Sequence, residues 1–207
     1  MALSMRRSPI YSHIWVYRGA MNVLYRGEYR RRFEDVVRLL GPGVQSVCEL
    51  CFGDTVVAEW CRTNGIRWTG IDINHGFCRR ARRHGFDVIE GDVLAVDLTQ
   101  ADVFLMAGSL YHFPSRLSEL FDVIFRHTDR FILSEPVHNM SSRTGLVGWC
   151  AKRAGNAGTG DRGFRFDPTS LTEALERQQR RKGLELRVVS VNRDMLVEMT
   201  RDPCSSR

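Results

Sequence analysis

The sequence predicts an α/β protein: a three-layer, doubly wound sandwich around a mostly parallel seven-stranded sheet whose last strand runs antiparallel. Three observations carry this. From residue 44 to residue 134, short and nearly all-apolar runs alternate with helical ones, the pattern of parallel strands covered on both faces. The runs are punctuated by turn signals at Gly41-Pro42-Gly43, Asn64-Gly65 and Gly85. Near the C-terminus, 184–191 and 195–199 meet at Asn192-Arg193-Asp194 as the arms of a hairpin do.

Segment 11–25, around Ile14, Trp15, Tyr17, Met21, Val23, Leu24 and Tyr25, and segment 28–40, with Phe33, Val36, Val37, Leu39 and Leu40 on one stripe, read as two N-terminal helices. Val44–Cys51 is an apolar strand, Thr55–Thr63 a helix, and Trp68–Ile73 a second strand. Phe77–His84 is a basic helix, followed by strands at Phe86–Glu90 and Asp102–Ala107, a helix at Leu117–His127 and a fifth strand at Phe131–Ser134. Asn139–Arg165 breaks the rhythm with glycines and cations around Trp149, and long irregular insertions of this kind often carry function. Asp167 is the expected N-cap and Pro168 the first residue of a helix running to about Gln179.

At 207 residues, 43% hydrophobic and 26% charged, the chain is long enough for one domain with a sizeable core. We expect one domain over 1–207, with 1–40 as a helical lid, 44–201 as the core and 139–165 as its insertion. The composition excludes a disordered tail or a small disulfide scaffold. The apolar stretch at 101–110 falls far short of the ~20 residues that span a bilayer, and no signal-type apolar core follows the arginines at 6 and 7. A cytoplasmic protein is expected.

The net charge of +6 raises nucleic acid as a partner. The cations cluster at Arg30–Arg32, at Arg79, Arg80, Arg82 and Arg83, and at Arg180, Arg181 and Lys182, all in helix-like segments where solvated faces are the simpler reading. Nucleic acid is therefore not the expected partner. Cys48-x-x-Cys51 is the one tight cysteine pair and lacks the second pair or histidines that zinc requires, so no metal site is expected.

Chemistry concentrates where strands end. The first strand closes in Glu49-Leu50-Cys51-Phe52-Gly53-Asp54, and the chain turns at once into a helix. In a doubly wound sheet a nucleotide-like ligand lies across this first crossover. The second strand closes on Asp72, placed to accept hydrogen bonds from ribose hydroxyls. Asp92 follows the third strand, and the fourth ends in Ala107-Gly108-Ser109-Leu110-Tyr111-His112-Phe113.

Four strand ends carrying Glu, Asp, Asp and a small-residue turn, in that order, resemble the class I S-adenosylmethionine-dependent methyltransferases over roughly 44–135. The closing hairpin is similar to that family's reversed final strand. The family's first motif, acid-x-Gly-x-Gly-x-Gly, here reads with only its middle glycine, Gly53; Cys51 and Thr55 replace the others, and Cys51 can crowd the methionine portion. The resemblance implies S-adenosylmethionine as cofactor. Glu49 would orient its methionine amino group, the backbone at Cys51 and Gly53 would line that end, and Ala107 and Ser109 would lie along the methionine moiety. Asp72 would hold the ribose, Ile73 would lie against the adenine, Asp92 would accept the adenine amino group and the Val93 amide would meet a ring nitrogen. Taken singly, Asp72 and Asp92 also read as turn or helix caps. A nicotinamide dinucleotide needs its pyrophosphate on a glycine-rich turn; Asp54 and Thr55 place an anion and side-chain bulk there, which disfavours it.

Methyl transfer is in-line attack on a sulfonium methyl, so the enzyme chiefly holds the nucleophile in line and excludes water. His112 is the leading candidate base, because an imidazole titrates near neutrality; a structural hydrogen bond is its alternative role. Tyr111 can position the acceptor, and His138, Tyr11, Tyr17, Arg143 and Trp149 are further acceptor-side candidates. Glu135, at the same edge, either touches substrate or caps a turn. The turn lacks the Asn/Asp-Pro-Pro-aromatic sequence of nucleic-acid amino-methylating enzymes, so it looks more like family members acting on small molecules, with oxygen the favoured atom. The alternatives are a non-methylating binder of the cofactor and an RNA methyltransferase using the arginine surface.

Overall fold

The computed structural model describes residues 18, 19, 21, 22, 27, 29–138 and 164–201. The seven strands are β1 (Ser46–Leu50), β2 (Arg67–Asp72), β3 (Asp87–Glu90), β4 (Val103–Ala107), β5 (Arg130–Pro136), β6 (Leu184–Val191) and β7 (Asp194–Arg201). They form one sheet in the order β3-β2-β1-β4-β5-β7-β6. The pairs β1–β2, β2–β3, β1–β4 and β4–β5 are parallel, while β7 runs antiparallel to both β5 and β6. The expected sheet, including its reversed last strand, is the one observed.

Among the described residues, the helices that cover it are α1 (Arg31–Leu40), α2 (Val56–Thr63), α3 (His75–Arg83), α4 (Leu117–His127) and α5 (Pro168–Lys182). Strand residues alternate between two cores. Val47, Val103, Leu105 and Ile132 face Phe33, Val36 and Leu40 of α1, Val57 and Cys61 of α2, and Phe77 and Cys78 of α3. Cys48, Leu50, Phe104, Met106, Phe131 and Leu133 face Leu120, Phe121 and Ile124 of α4 and Leu171 and Leu175 of α5.

Helix ends follow local chemistry. Asp167 and Ser170 form a reciprocal capping box ahead of α5, and Gly183, at a φ of +62°, ends that helix after Lys182, three residues beyond the expected Gln179. Helix α3 starts at His75, not Phe77, because the Asn74 side chain accepts from the amides of Gly76 and Phe77. The C-terminal carbonyls of α1, at Leu39 and Leu40, accept from the Arg130 guanidinium, which also pairs with Glu198 on β7. This helix, expected within a lid, is thus a layer of the sandwich. Of the first expected helix, residues 18, 19, 21 and 22 are helical; Tyr11, Trp15 and Tyr17 lie outside the described residues, as do Arg143, Trp149 and the tail 202–207.

Candidate active site

The chain leaves β1 outward to β2 and β3, then returns to β4 on the other side of β1. That reversal opens a crevice at the carboxyl ends of β1 and β4, where the four acidic or small-residue strand ends lie.

Glu49 is fully buried near the end of β1. Its Oε2 accepts from the Trp68 indole at 2.9 Å, and its Oε1 has no partner among the described residues. Glu49 pairs in register with Gly70 of β2. The Trp68 ring folds over that glycine so closely that a Cβ there would lie 2.1 Å from it, so the missing side chain lets the indole reach Glu49. Burial drives the Glu49 carboxyl well above the usual range; Trp68 and Arg32 oppose the rise, while Asp54 and Asp72 add to it.

The loop that follows is shaped by Cys51, whose φ of +54° is the glycine-like region although the residue is not glycine. Its amide donates to the Ile71 carbonyl at 2.7 Å. Burial, then the negative charges of Asp72, Asp92 and Glu135, push its thiol well above the ordinary value; Cys51 therefore sits where four strand ends converge. Gly53, at a φ of +57°, donates its amide to Asp72 Oδ2 at 3.0 Å. Asp72 Oδ1 accepts from the Asn74 amide at 2.8 Å. Next to it, Ile73 is a large apolar side chain 44% exposed.

Asp92 accepts from the Leu94 amide at 2.9 Å and lies 3.8 Å from Arg116; the Val93 side chain is buried beside it. One argument made from sequence does not survive. Asp54 is 1% exposed and held by Arg18 through two bonds of 2.8 and 2.7 Å, so its charge is neutralised inside the protein and does not repel a phosphate. Thr55 is also buried, its hydroxyl donating to Glu59.

On the other side of the crevice, Ala107 ends β4, Ser109 is buried, and Leu110–His112 make a single 3₁₀ turn. The Tyr111 and His112 rings lie 4.0 Å apart, and the Arg165 guanidinium sits 3.9 Å over the Tyr111 ring. Beneath the turn, Glu135 accepts from the amides of Leu110 and Tyr111. Arg32 and Asp194 pair at 3.0 Å, their side chains only 6% and 10% exposed. His138 is exposed, and its amide donates to the Arg193 carbonyl.

No protein-family model matches the chain, and no curated protein matches it either. Solved structures do. The methyltransferase domain of a bacterial Hen1 protein (CtHen1) is 14% identical with a TM-score of 0.63, over 83% of this chain and 97% of that one. Magnesium protoporphyrin IX methyltransferase from Synechocystis, with bound S-adenosylmethionine, is 15% identical with a TM-score of 0.61, over 88% of this chain and 84% of its own. Human N-acetylserotonin methyltransferase in complex with S-adenosylmethionine is 18% identical with a TM-score of 0.63, over 93% of this chain but only 57% of its own. The chain has the class I methyltransferase fold. In that fold Glu49, Cys51, Gly53, Asp72, Ile73, Asp92, Ala107 and Ser109 lie at or just beyond the carboxyl ends of β1 to β4, with Tyr111 and His112 in the turn that follows β4.

Several participants escaped the sequence reading. Arg32 lay within Arg30–Arg32, read as a solvated run, yet its side chain is buried against Asp194. Trp68 read only as a strand residue. For Trp68 a usable signal existed, since Trp-x-Gly on a strand paired to a buried acid offers a ring, the space for it and an acceptor. For Arg32 none did, because Asp194 is far away in sequence.

Proposed function

We propose that this protein transfers a methyl group from S-adenosylmethionine to a small-molecule acceptor, with oxygen the favoured atom. The observation that carries the reading is the Glu49 carboxyl: fully buried near the end of β1, with one oxygen satisfied by Trp68 and the other without a partner among the described residues. A buried acceptor left open is costly, and a cationic amino group on a ligand would satisfy it. The neighbouring groups fit the rest of such a ligand. Asp72 closes β2 as an acceptor for ribose hydroxyls, Ile73 offers an exposed apolar face for adenine, and Asp92 stands where the adenine amino group would donate. When bound, the cofactor supplies an electrophilic methyl on a sulfonium. The chain's own part is to orient the acceptor beside Tyr111, take its proton at His112 and exclude water.

The names of the structural neighbours support a small-molecule acceptor, since two of them carry protoporphyrin and N-acetylserotonin in their printed names. A second reading, a binder that retains the cofactor without transferring its methyl, is favoured by Cys51 holding a glycine-like conformation with a side chain attached. Calorimetric titration with S-adenosylmethionine and S-adenosylhomocysteine tests both, alongside Asp72→Ala and the shape-preserving Asp72→Asn. Micromolar binding lost in both variants supports the cofactor site, and methyl transfer in an acceptor screen then separates the two readings. Failure of both ligands to bind the folded wild-type chain overturns the cofactor assignment.

A further inference from the structure

Glu135 is the last acidic residue of β5 and is fully buried. Its Oε2 accepts from the Leu110 amide at 3.0 Å and its Oε1 from the Tyr111 amide at 3.2 Å. The first N–H groups of a helical turn have no partner within the turn, and here one carboxylate from a neighbouring strand takes two consecutive ones. The amides it holds are those of Leu110 and Tyr111, immediately before His112, whose own amide donates to the Ser109 carbonyl.

The surroundings show that this clamp is built. Gly108, just before the turn, donates its amide to the Ser134 carbonyl at 2.7 Å and adopts a φ of +71°. A Cβ at Gly108 would lie 2.7 Å from an Arg32 nitrogen, so the glycine makes room for that guanidinium. Arg32 from α1 pairs with Asp194 at the start of β7, and Asp194 also accepts from the Ser134 hydroxyl at 3.3 Å. The charged groups bearing on Glu135 are thus Arg32 and Asp194, with the Cys51 thiol from the end of β1 within electrostatic reach.

We propose that Glu135 is a positioning residue of the acceptor side: its ionised carboxylate locks the Leu110–His112 turn, and its protonation frees that turn. Only the turn's purpose rests on the methyltransferase reading; the clamp itself does not. The carboxylate accepts at both oxygens with its full charge, whereas protonation removes the charge and leaves the hydroxyl oxygen a weaker acceptor, so at least one of the two amide bonds weakens. That proton exchanges with solvent and no other group changes. Burial pushes Glu135 up to about 8, against the pull of the Leu110 and Tyr111 amides, with Asp194 adding to the rise and Arg32 opposing it. The locked fraction therefore grows roughly tenfold between about pH 7 and about pH 9.

The test is ¹⁵N amide NMR of the full chain titrated from about pH 6 to about pH 10. The Leu110 and Tyr111 amides are expected to titrate together with a midpoint near 8, and to become flat in Glu135→Gln. Asp194→Asn, which removes the charge that raises Glu135, is expected to move the shared midpoint toward acid, and this decides the matter if the Gln variant does not fold. Amides that do not titrate in the wild type, or a midpoint unmoved by either variant, overturn the clamp. Titration with S-adenosylmethionine on the same samples keeps the two claims apart: absent binding counts against the methyltransferase reading alone, and flat amides against the clamp alone.

Discussion

Trp68 donates its indole N–H to Glu49 across 2.9 Å, and it is the one partner that this buried carboxyl has among the described residues. The bond joins adjacent parallel strands at the mouth of the crevice and holds an acid in place without saturating it.

This pairing separates a stabilising role from a binding one. Trp68→Phe leaves both Glu49 oxygens without a donor and is expected to destabilise the fold by about 1–3 kcal/mol, read as a lower denaturation midpoint. Glu49→Gln keeps an oxygen for Trp68 and removes the negative charge. It is expected to fold and to weaken S-adenosylmethionine and S-adenosylhomocysteine alike by tenfold or more, about 1.4 kcal/mol, in calorimetry. Equal affinity for wild type and variant would show that the carboxylate does not meet the ligand's amino group.

Cys51→Gly is expected to be tolerated or mildly stabilising. A left-handed backbone costs a non-glycine residue about 1 kcal/mol, and Cys51 carries it at a φ of +54°. In the proposed reading the side chain crowds the methionine portion of the ligand, so S-adenosylmethionine affinity is expected to rise several-fold in the variant. Thermal unfolding and calorimetry on the same preparation check both, and a loss of affinity would mean that the thiol contributes a contact.

His112→Ala is expected to slow methyl transfer by about 10² to 10⁴, the usual range for a general base, with cofactor affinity nearly unchanged. The neighbouring Tyr111 ring, 4.0 Å away, loses a packing partner, so the crevice on the β1–β3 side is the proper control. Lost cofactor binding would assign His112 a structural role instead.

Stability should peak on the acid side of neutrality. Glu135, pushed up to about 8 by burial, stays protonated in the folded chain between about pH 4.5 and 8, where the unfolded chain has released its proton. The folded state binds more protons there, so stability falls as pH rises. From Glu135 alone, moving from about pH 5.5 to about pH 7 costs about 2 kcal/mol, and Glu49 acts in the same direction. Opposing them, the Gln45 amide holds Asp102 below the usual range, and Arg187 and Arg130 hold Glu198 there despite its burial. Their contribution is present above the ordinary carboxylate range and disappears as pH falls below it. A denaturation midpoint that rises steadily from pH 5 to pH 8 would contradict this balance.

The sheet was legible because parallel strands are written as unbroken apolar runs, as at Val103–Ala107; the antiparallel strand Leu184–Val191 and the helix Leu117–His127 were also read to the residue. The acids at strand ends were legible for the same reason, since Glu49 and Asp72 stand out at the close of apolar runs. What stayed hidden was whatever depends on register across the sheet or on long separation. Asp54 is an exposed anion in one dimension and a buried partner of Arg18 in three. Glu135 offered two roles from sequence, and only its register beneath the 110–111 amides distinguishes them. Helix α3 began earlier than expected because apolar periodicity locates the buried Phe77 and Cys78, whereas the start is set by the Asn74 cap.

The position of β7 has a bearing on how the molecule is made. Although it is the last strand in the chain, it lies inside the sheet, with Ser134 opposite Leu196 and Pro136 opposite Asp194. Until residues 194–201 emerge from the ribosome, one side of β5 offers bare amides and carbonyls, an edge open to wrong partners. Arg32, synthesised early, meanwhile waits for Asp194. The strand ends of β1 to β4, which carry Glu49 and Asp72, can form during synthesis, while the β5 side of the sheet closes only at its end. A chain cut short before β7 would keep those strand ends and lack the partner strand that covers β5 beside them.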